Sequence, residues 1–290
     1  MCGTCGCGDP ANTVTLTDPA KGETAVLRRD ARGGHDHDHG PGHHHHHHHG
    51  ADEPHTHGPA GEVITLEQAV LAENDRIAAR NRGRFESRGV LALNVMSSPG
   101  AGKTTLLEST IRALADRVDI AVIEGDQMTA ADAERIRAAG ARAIQINTGA
   151  GCHLEADMVA EAVEALEPKP GSLLVIENVG NLVCPAMFDL GERVRVAVIS
   201  TPEGEDKPLK YPHMFRAADV VVVNKIDLAP HVGFDASGCA ENIRAVNPEA
   251  RVITLSAKTG AGMEDWLAFL LDLQAESAGT KASDIQTAVE

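Results

Sequence analysis

Eight consecutive residues, Ser97-Ser98-Pro99-Gly100-Ala101-Gly102-Lys103-Thr104, have the types and order needed to hold a chain of phosphates. Gly100 and Gly102 let backbone N–H groups approach phosphate oxygens, and the segment runs into a predicted helix whose N-terminus favours an anion. Lys103 then reaches the β- and γ-phosphates, the Thr104 hydroxyl ligates Mg²⁺, and Ala101 and Thr105 complete the phosphate contacts. Ser97 stands where the pattern has glycine, a departure that the two remaining glycines absorb. The bland alternative is an ordinary Gly-rich turn; an apolar strand before it and a helix after it favour the phosphate reading.

Base choice is carried by Asn224-Lys225-Ile226-Asp227, which follows the apolar run Val220 to Val223. A carboxylate in such an Asn-Lys-x-Asp accepts from the guanine N1–H and exocyclic amine, whereas adenine would leave it unpaired. Ser256, Ala257 and Lys258, at the end of another apolar run, resemble a second base-contacting loop. Together these signals read as a GTP/GDP site. Asp126 and Glu177, at the ends of predicted strands, are expected to complete the Mg²⁺ shell with Thr104. Glu177-Asn178-Val179-Gly180 matches the Asp-x-x-Gly switch pattern with Glu in place of Asp. Lys103 and Asp126 are the residues expected to act in hydrolysis of GTP to GDP and phosphate. No glutamine occupies the usual water-positioning place, so intrinsic turnover is expected to be slow and to rise on dimerisation or partner binding.

A second chemistry is metal binding. Cys2, Cys5 and Cys7 put three soft ligands within six residues, which suits tetragonal Ni²⁺ or tetrahedral Zn²⁺, with a redox or disulfide pair as the alternative. His35, His37, His39, His43, His44, His45, His46, His47, His48, His49, His55 and His57 form an imidazole-rich tract suited to nickel storage. Farther on, Cys152-His153 is expected to open a helix whose N-terminus favours the thiolate, and Cys184 follows the switch pattern by a few residues. Those three ligands are too few to close a four-ligand site, which suggests completion by a second subunit. Cys239, His213 and His231 are read as structural.

These residues need a scaffold. Apolar runs at Val90 to Met96, Ile120 to Ile123, Ala143 to Ile146, Leu173 to Ile176, Val194 to Ile199, Val220 to Val223 and Val252 to Leu255 alternate with helix-like stretches. The expected fold is therefore α/β, of the P-loop NTPase type, with a mostly parallel sheet covered by helices on both faces. Residues 1–61 hold twelve of the fifteen histidines and few branched apolar residues, so they are expected to form a disordered metal-binding extension. Residues 62–276 form the GTPase domain, opened by a helix over Val63 to Arg82, and 277–290 a flexible tail. A formal charge of −16 argues against a nucleic-acid partner, and no apolar stretch approaches the roughly 18 residues that cross a membrane, so a cytoplasmic location is expected.

With these motifs in view, the chain resembles the HypB branch of the HypB/UreG family, SIMIBI-class P-loop GTPases that incorporate nickel during hydrogenase maturation. The resemblance covers the N-terminal Cys-x-x-Cys-x-Cys of Cys2, Cys5 and Cys7, the His-rich insert and the stretch from about Ile64 to Leu273. It is most specific at Ser97 to Thr105, Glu124-Gly125-Asp126-Gln127, Gly151-Cys152-His153-Leu154, Glu177 to Pro185 and Glu203 to Pro212. It implies GTP-dependent homodimerisation and delivery of Ni²⁺ to the large subunit of [NiFe] hydrogenase with a HypA-type nickel chaperone. By the same resemblance, Cys2, Cys5 and Cys7 would be a high-affinity nickel site. Cys152, His153 and Cys184 would be a nickel or zinc site at the dimer interface. Two alternatives stay open: a urease-type nickel-insertion GTPase, and a nickel store whose GTPase domain only controls assembly.

Overall fold

The computed structural model describes residues 14–18, 20–27, 55–57, 63–126 and 131–287, with side chains described at 14–18, 20–27, 68–126 and 131–277. The sites expected at Cys2, Cys5, Cys7, His35, His37, His39 and His43 to His49 lie outside these residues, and His55 and His57 are described by backbone alone. A hairpin of β1 (Thr15–Asp18) and β2 (Glu23–Val26) comes first, then an antiparallel pair, β3 (His55–His57) and β4 (Val63–Thr65), and helix α1 (Leu66–Arg88). Strand and helix then alternate through β5 (Leu91–Ser97), α2 (Lys103–Leu114), β6 (Ile120–Asp126), α3 (Ala131–Ala138), β7 (Arg142–Asn147), α4 (Ala156–Leu166), β8 (Leu173–Glu177) and β9 (Val194–Ser200). Short helices α5 (Lys207–Lys210) and α6 (Pro212–Ala217) lead to β10 (Val220–Asn224). After it come α7 (Ala229–Val232), α8 (Ala236–Val246), β11 (Arg251–Thr254) and α9 (Met263–Thr287).

All seven expected apolar runs are strands, and they pair in parallel in the order β11-β10-β9-β5-β8-β6-β7. Their side chains alternate between two buried faces. Leu91, Leu93 and Val95 of β5 pack with Leu106, Leu107, Ile111 and Leu114 of α2 and with Trp266 of α9 on one face. Ala92 of β5, Ile123 of β6 and Ile176 of β8 pack with Val159, Val163 and Leu166 of α4 and Phe85 of α1 on the other. The resulting sheet is buried on both sides, as its runs of Val and Ile require. Every parallel strand thus delivers its carboxyl end to the same edge of the domain, where loops meet.

Three boundaries differ from expectation. Residues 14–27 do not stand apart from the folded domain: β1 adds antiparallel to β7, pairing Thr15 with Asn147 and Leu16 with Ile146. Val14, Leu16 and Leu27 are buried there against the α4 side of the core, and this burial ties down a stretch that could not fold alone. Helix α1 continues beyond Arg82 to Arg88, because Phe85 supplies another apolar anchor. At the other end α9 runs to Thr287, so the expected tail from 277 is helical over most of its length; Ala278, Lys281, Ala282 and Gln286 are good helix formers.

Two buried asparagines on α1 fix the approach to the candidate metal ligands. Asn74 accepts from the Ala156 N–H (2.9 Å) and donates to the Asp189 carbonyl (2.7 Å). Asn81 donates to the carbonyls of Ala156 (2.8 Å) and Leu190 (3.1 Å). Helix α1 therefore clamps the start of α4 to the segment that follows Cys184. Arg82 reinforces the clamp with two 2.7 Å contacts to the Asp189 carboxylate.

Candidate functional site

A cleft of about 490 Å³ opens at the carboxyl ends of β5, β6 and β8. It is lined by Gly100, Gly102, Lys103, Thr104 and Thr105, by Glu124, Gly125 and Asp126, and by Glu177 to Gly180, with Lys225 at one side. The phosphate loop here depends on its glycines. Gly102 has φ +96, and a Cβ on it would sit 2.6 Å from Asn224 Nδ2. Any other residue would be strained in backbone and displaced from Asn224. Ser97, which stands where glycine was expected, has a positive use: Lys103 Nζ donates to its hydroxyl at 2.8 Å, holding the cation along the loop.

Three loops are stapled together at the base-recognition side. Asn224 Nδ2 donates to the Ala101 carbonyl (3.0 Å), while its Oδ1 accepts from the N–H groups of Lys225 (2.7 Å) and Ala257 (3.1 Å). Lys225 Nζ reaches the Gly100 carbonyl at 2.6 Å. Lys225 itself is left-handed, φ +61, a conformation that costs a non-glycine residue about 1 kcal/mol and is held by these contacts. The Ser256 hydroxyl accepts from the Thr259 N–H (3.2 Å), shaping the loop that carries Ala257 and Lys258. Asp227 Oδ1 is buried without a hydrogen-bond partner, an acceptor suited to a base that offers paired donors.

Deeper in the cleft the β6–β8 ladder sets Glu124 directly beside Glu177. Both are almost fully buried, and Glu124 donates a hydrogen bond to Glu177. Burial pushes Glu124 well above the usual carboxylate range, and the Glu177 charge adds to the rise. Burial also raises Glu177, opposed by the Lys103 charge and by hydrogen bonds from Glu124 and Thr104, the last at 2.9 Å. One oxygen of each carboxyl, Oε2, has no hydrogen-bond partner. With the Thr104 hydroxyl these oxygens form the all-oxygen set that a hard cation such as Mg²⁺ takes. Asp126 lies at the rim, less buried than the pair. Sequence reasoning assigned Glu177 and passed over Glu124, although its alternation with Asp126 on β6 marks it as inward-facing.

Other supports also escaped the sequence reading. Glu203 accepts from the Ser200 N–H and hydroxyl (2.8 Å each) and from the Ser98 hydroxyl, bracing the phosphate loop from behind. Arg135 of α3 lines the cleft while bonded to Glu108 (2.9 Å), Asp132 (2.9 Å) and Thr105 (3.2 Å).

The structure brings Cys152, His153 and Cys184 together: one ligand atom from each lies within 4.8 Å of the others. Cys152 Sγ is 3.6 Å from His153 Nδ1, and His153 Nε2 is 3.7 Å from a Glu155 oxygen. The imidazole is buried and stacked on Phe188, with ring centroids 3.9 Å apart, so its plane is fixed. The two thiols are only half-buried, and Val183 and Met187 stand exposed on either side of Cys184. Two thiols and an imidazole suit a borderline metal such as nickel or zinc and leave room for a fourth ligand.

One expectation about this loop is corrected. Cys152 does not open a helix; α4 begins at Ala156, with Glu155 extended at φ −110, ψ 159. The Thr148–Gly151 turn, closed by Gly151 N–H to Thr148 carbonyl (2.9 Å) and Thr148 hydroxyl to Gly151 carbonyl (2.8 Å), uses up the residues a helix would need. Cys239, by contrast, is buried on α8, where burial and then nearby Glu205 and Asp235 push its thiol up to about 11. His213 and His231 are exposed and away from this cluster.

A parallel sheet with a Gly-Lys-Thr phosphate loop at the carboxyl end of β5 and a base-recognition tetrapeptide after β10 defines a P-loop nucleotide-binding domain. The family model described as "CobW/HypB/UreG, nucleotide-binding domain" matches residues 91–254. The chain belongs to this family and, within it, to the HypB hydrogenase maturation factors. It is 59% identical over 217 residues to "Hydrogenase maturation factor HypB" of Rhizobium leguminosarum bv. viciae, covering 74% of this chain and 73% of that one. The Cupriavidus necator protein of the same name is 46% identical and aligns with 98% of this chain and 92% of its own. Among solved structures, HypB from Helicobacter pylori in complex with nickel superposes with a TM-score of 0.66 at 42% identity, over 70% of this chain and 96% of that one. Among the described residues no helix is long and apolar enough to cross a membrane.

Proposed function

We propose that this chain is a GTP-hydrolysing nickel metallochaperone that delivers Ni²⁺ to the large subunit of a [NiFe] hydrogenase during maturation. The observation that carries the reading is the convergence of Cys152, His153 and Cys184 beside a nucleotide cleft, in a chain of the HypB family. The nickel named for the Helicobacter pylori relative supports the choice of metal; Zn²⁺ competes for the same donors. Guanine specificity rests on Asp227, with its unpartnered buried oxygen, and Mg²⁺ is held by Thr104 and Glu177, Asp126 entering from the rim. Among the described residues the cluster has no fourth ligand, and exposed Val183 and Met187 flank it, which supports closure of a homodimer over the metal when GTP binds. Intrinsic hydrolysis is slow, and dimer closure or a partner speeds the turnover that reopens the site.

The partners in this reading are a HypA-type nickel chaperone and the hydrogenase large subunit, and the setting is the cytoplasm. Cys2, Cys5 and Cys7 hold a tighter nickel ion, and the histidines from His35 to His57 add storage. The test is a Ni²⁺ titration of the full chain, paired with sizing, in GDP and in a non-hydrolysable GTP analogue. Nucleotide-dependent nickel affinity that is lost on Cys184→Ala supports delivery. Nickel held only by the leader, indifferent to nucleotide, points to a store instead.

A further inference from the structure

Neighbouring positions on two strand ends face both the nucleotide cleft and the metal loop. Asn178 follows Glu177 at the end of β8, lines the cleft and is completely buried. Its Oδ1 accepts from the Leu154 N–H (3.2 Å), one residue past His153, and from the Val179 N–H (3.0 Å). Gly125 also lines the cleft, between Glu124 and Asp126. A Cβ on Gly125 would lie 2.9 Å from Leu154 Cδ1 and 3.1 Å from the Glu177 carbonyl, so the Leu154 side chain rests directly on this glycine. Leu154 is thus completely buried, gripped at its backbone by β8 and at its side chain by β6.

We infer that Asn178 is a positioning residue for the metal ligands, and that Asn178, Leu154 and Gly125 form the latch through which bound nucleotide sets the placement of Cys152 and His153. It rests on the reading of the two sites proposed above. The reasoning is mechanical. Glu177 and Asp126 are the groups that meet the metal and phosphates of the nucleotide, and each is one residue from a part of the latch. A small shift of either strand end moves Leu154, and His153 and Cys152 must follow because they are its chain neighbours. The rest of the loop does not yield, because the Thr148–Gly151 turn holds one side and the α1 asparagines hold Ala156 on the other. Asn178 is itself fixed from behind: its Nδ2 donates to Asn94 Oδ1 (3.2 Å), and Asn94 Nδ2 donates to Glu192 (3.2 Å). A side chain braced at one end transmits displacement rather than absorbing it.

The experiment measures Ni²⁺ affinity of the full chain at saturating GDP and at a saturating non-hydrolysable GTP analogue, in the wild type, Asn178→Ala and Leu154→Ala. To keep leader nickel out of the readout, Cys2, Cys5 and Cys7 are replaced by Ser and the twelve histidines from His35 to His57 by Asn in all three. The wild-type affinities are expected to differ by at least about fivefold between nucleotides, an ordinary allosteric coupling. Both latch variants are expected to fall below about twofold, with nickel still bound through Cys152, His153 and Cys184. Leu154→Ala leaves the Asn178–Asn94 bonds in place, so it tests the latch where Asn178→Ala is too damaging to fold. A wild-type ratio that persists in whichever variant folds overturns the latch alone. A wild type with no ratio overturns the latch and the nucleotide-switched reading together.

Discussion

The nucleotide cleft and the thiol–imidazole cluster lie on neighbouring loops yet are built in opposite ways. In the cleft, Asn224 ties the phosphate loop to the loop carrying Ala257, Lys225 ties back to Gly100, and Glu203 braces Ser98. These supports come from the ends of β9 and β10 and reach the loops after β5 and β11, so the site is assembled by the fold itself. The cluster has two half-buried thiols and one buried imidazole; it is held by the His153–Phe188 stack and the α1 clamp, and among the described residues its fourth position is open. A site that must grip nucleotide through a hydrolytic cycle gains from rigidity, and one that must accept and release an ion gains from being incomplete.

That contrast can be broken by substitution. The largest effect is expected from Lys103→Ala, which removes the cation at the phosphates: GTP turnover should fall by at least about a hundredfold, measured as phosphate release. Asp227→Asn leaves the cleft intact but alters its buried acceptor, and the preference for GTP over ATP, read from competition binding, should drop about a hundredfold. Cys184→Ala should weaken Ni²⁺ by about tenfold or more while nucleotide affinity stays within about twofold, measured by parallel titrations. If Cys184→Ala instead impairs GTP binding as strongly as nickel binding, the two sites are not separately built.

Two smaller effects sharpen the comparison by testing the frame. Leu16→Ala empties a buried position where β1 pairs with β7, and should lower stability by about 2 kcal/mol in chemical unfolding. Asp189 clamps the far side of the metal loop through Arg82. Burial raises its pKa, but the Arg82 bonds, the Gly191 N–H and the nearby Arg82 and Arg195 charges outweigh it and hold the carboxyl below the usual range. A depressed carboxylate stabilises the fold above the unfolded pKa and loses that contribution as pH falls through the lower folded value. Asp189→Asn should therefore cost up to about 1 kcal/mol near neutrality, because the pair is partly exposed. That difference should shrink as pH falls below the ordinary aspartate value of about 3.9 and vanish below the depressed folded value, read from denaturation midpoints against pH.

Much of this arrangement was legible in the sequence because it obeys local rules. Apolar runs of Val and Ile gave the seven parallel strands, and Gly100 to Thr104 at a strand end gave the phosphate loop. Alternation along β6 put Glu124 on the same side as Asp126, but its pairing with Glu177 was not legible, since it depends on the register between β6 and β8, which are far apart in sequence. The hairpin of β1 and β2 escaped for a related reason: its few apolar residues, Val14, Leu16 and Leu27, are too sparse to form a core and are buried only because β7 and α4 are already there. The start of α4 was misplaced because Cys152 and His153 carry no signal of the Thr148–Gly151 turn or of Asn178's hold on Leu154.

The central claim is that nucleotide bound in the rigid cleft governs metal held in the open cluster. Its most direct test is a Ni²⁺ titration of the chain with the leader cysteines and histidines replaced, at saturating GDP and at a saturating non-hydrolysable GTP analogue, with oligomeric state followed in the same samples. The account predicts an affinity difference of at least about fivefold that accompanies a change between monomer and dimer and disappears in Cys152→Ala. Equal nickel affinity and equal size in the two nucleotides would contradict it.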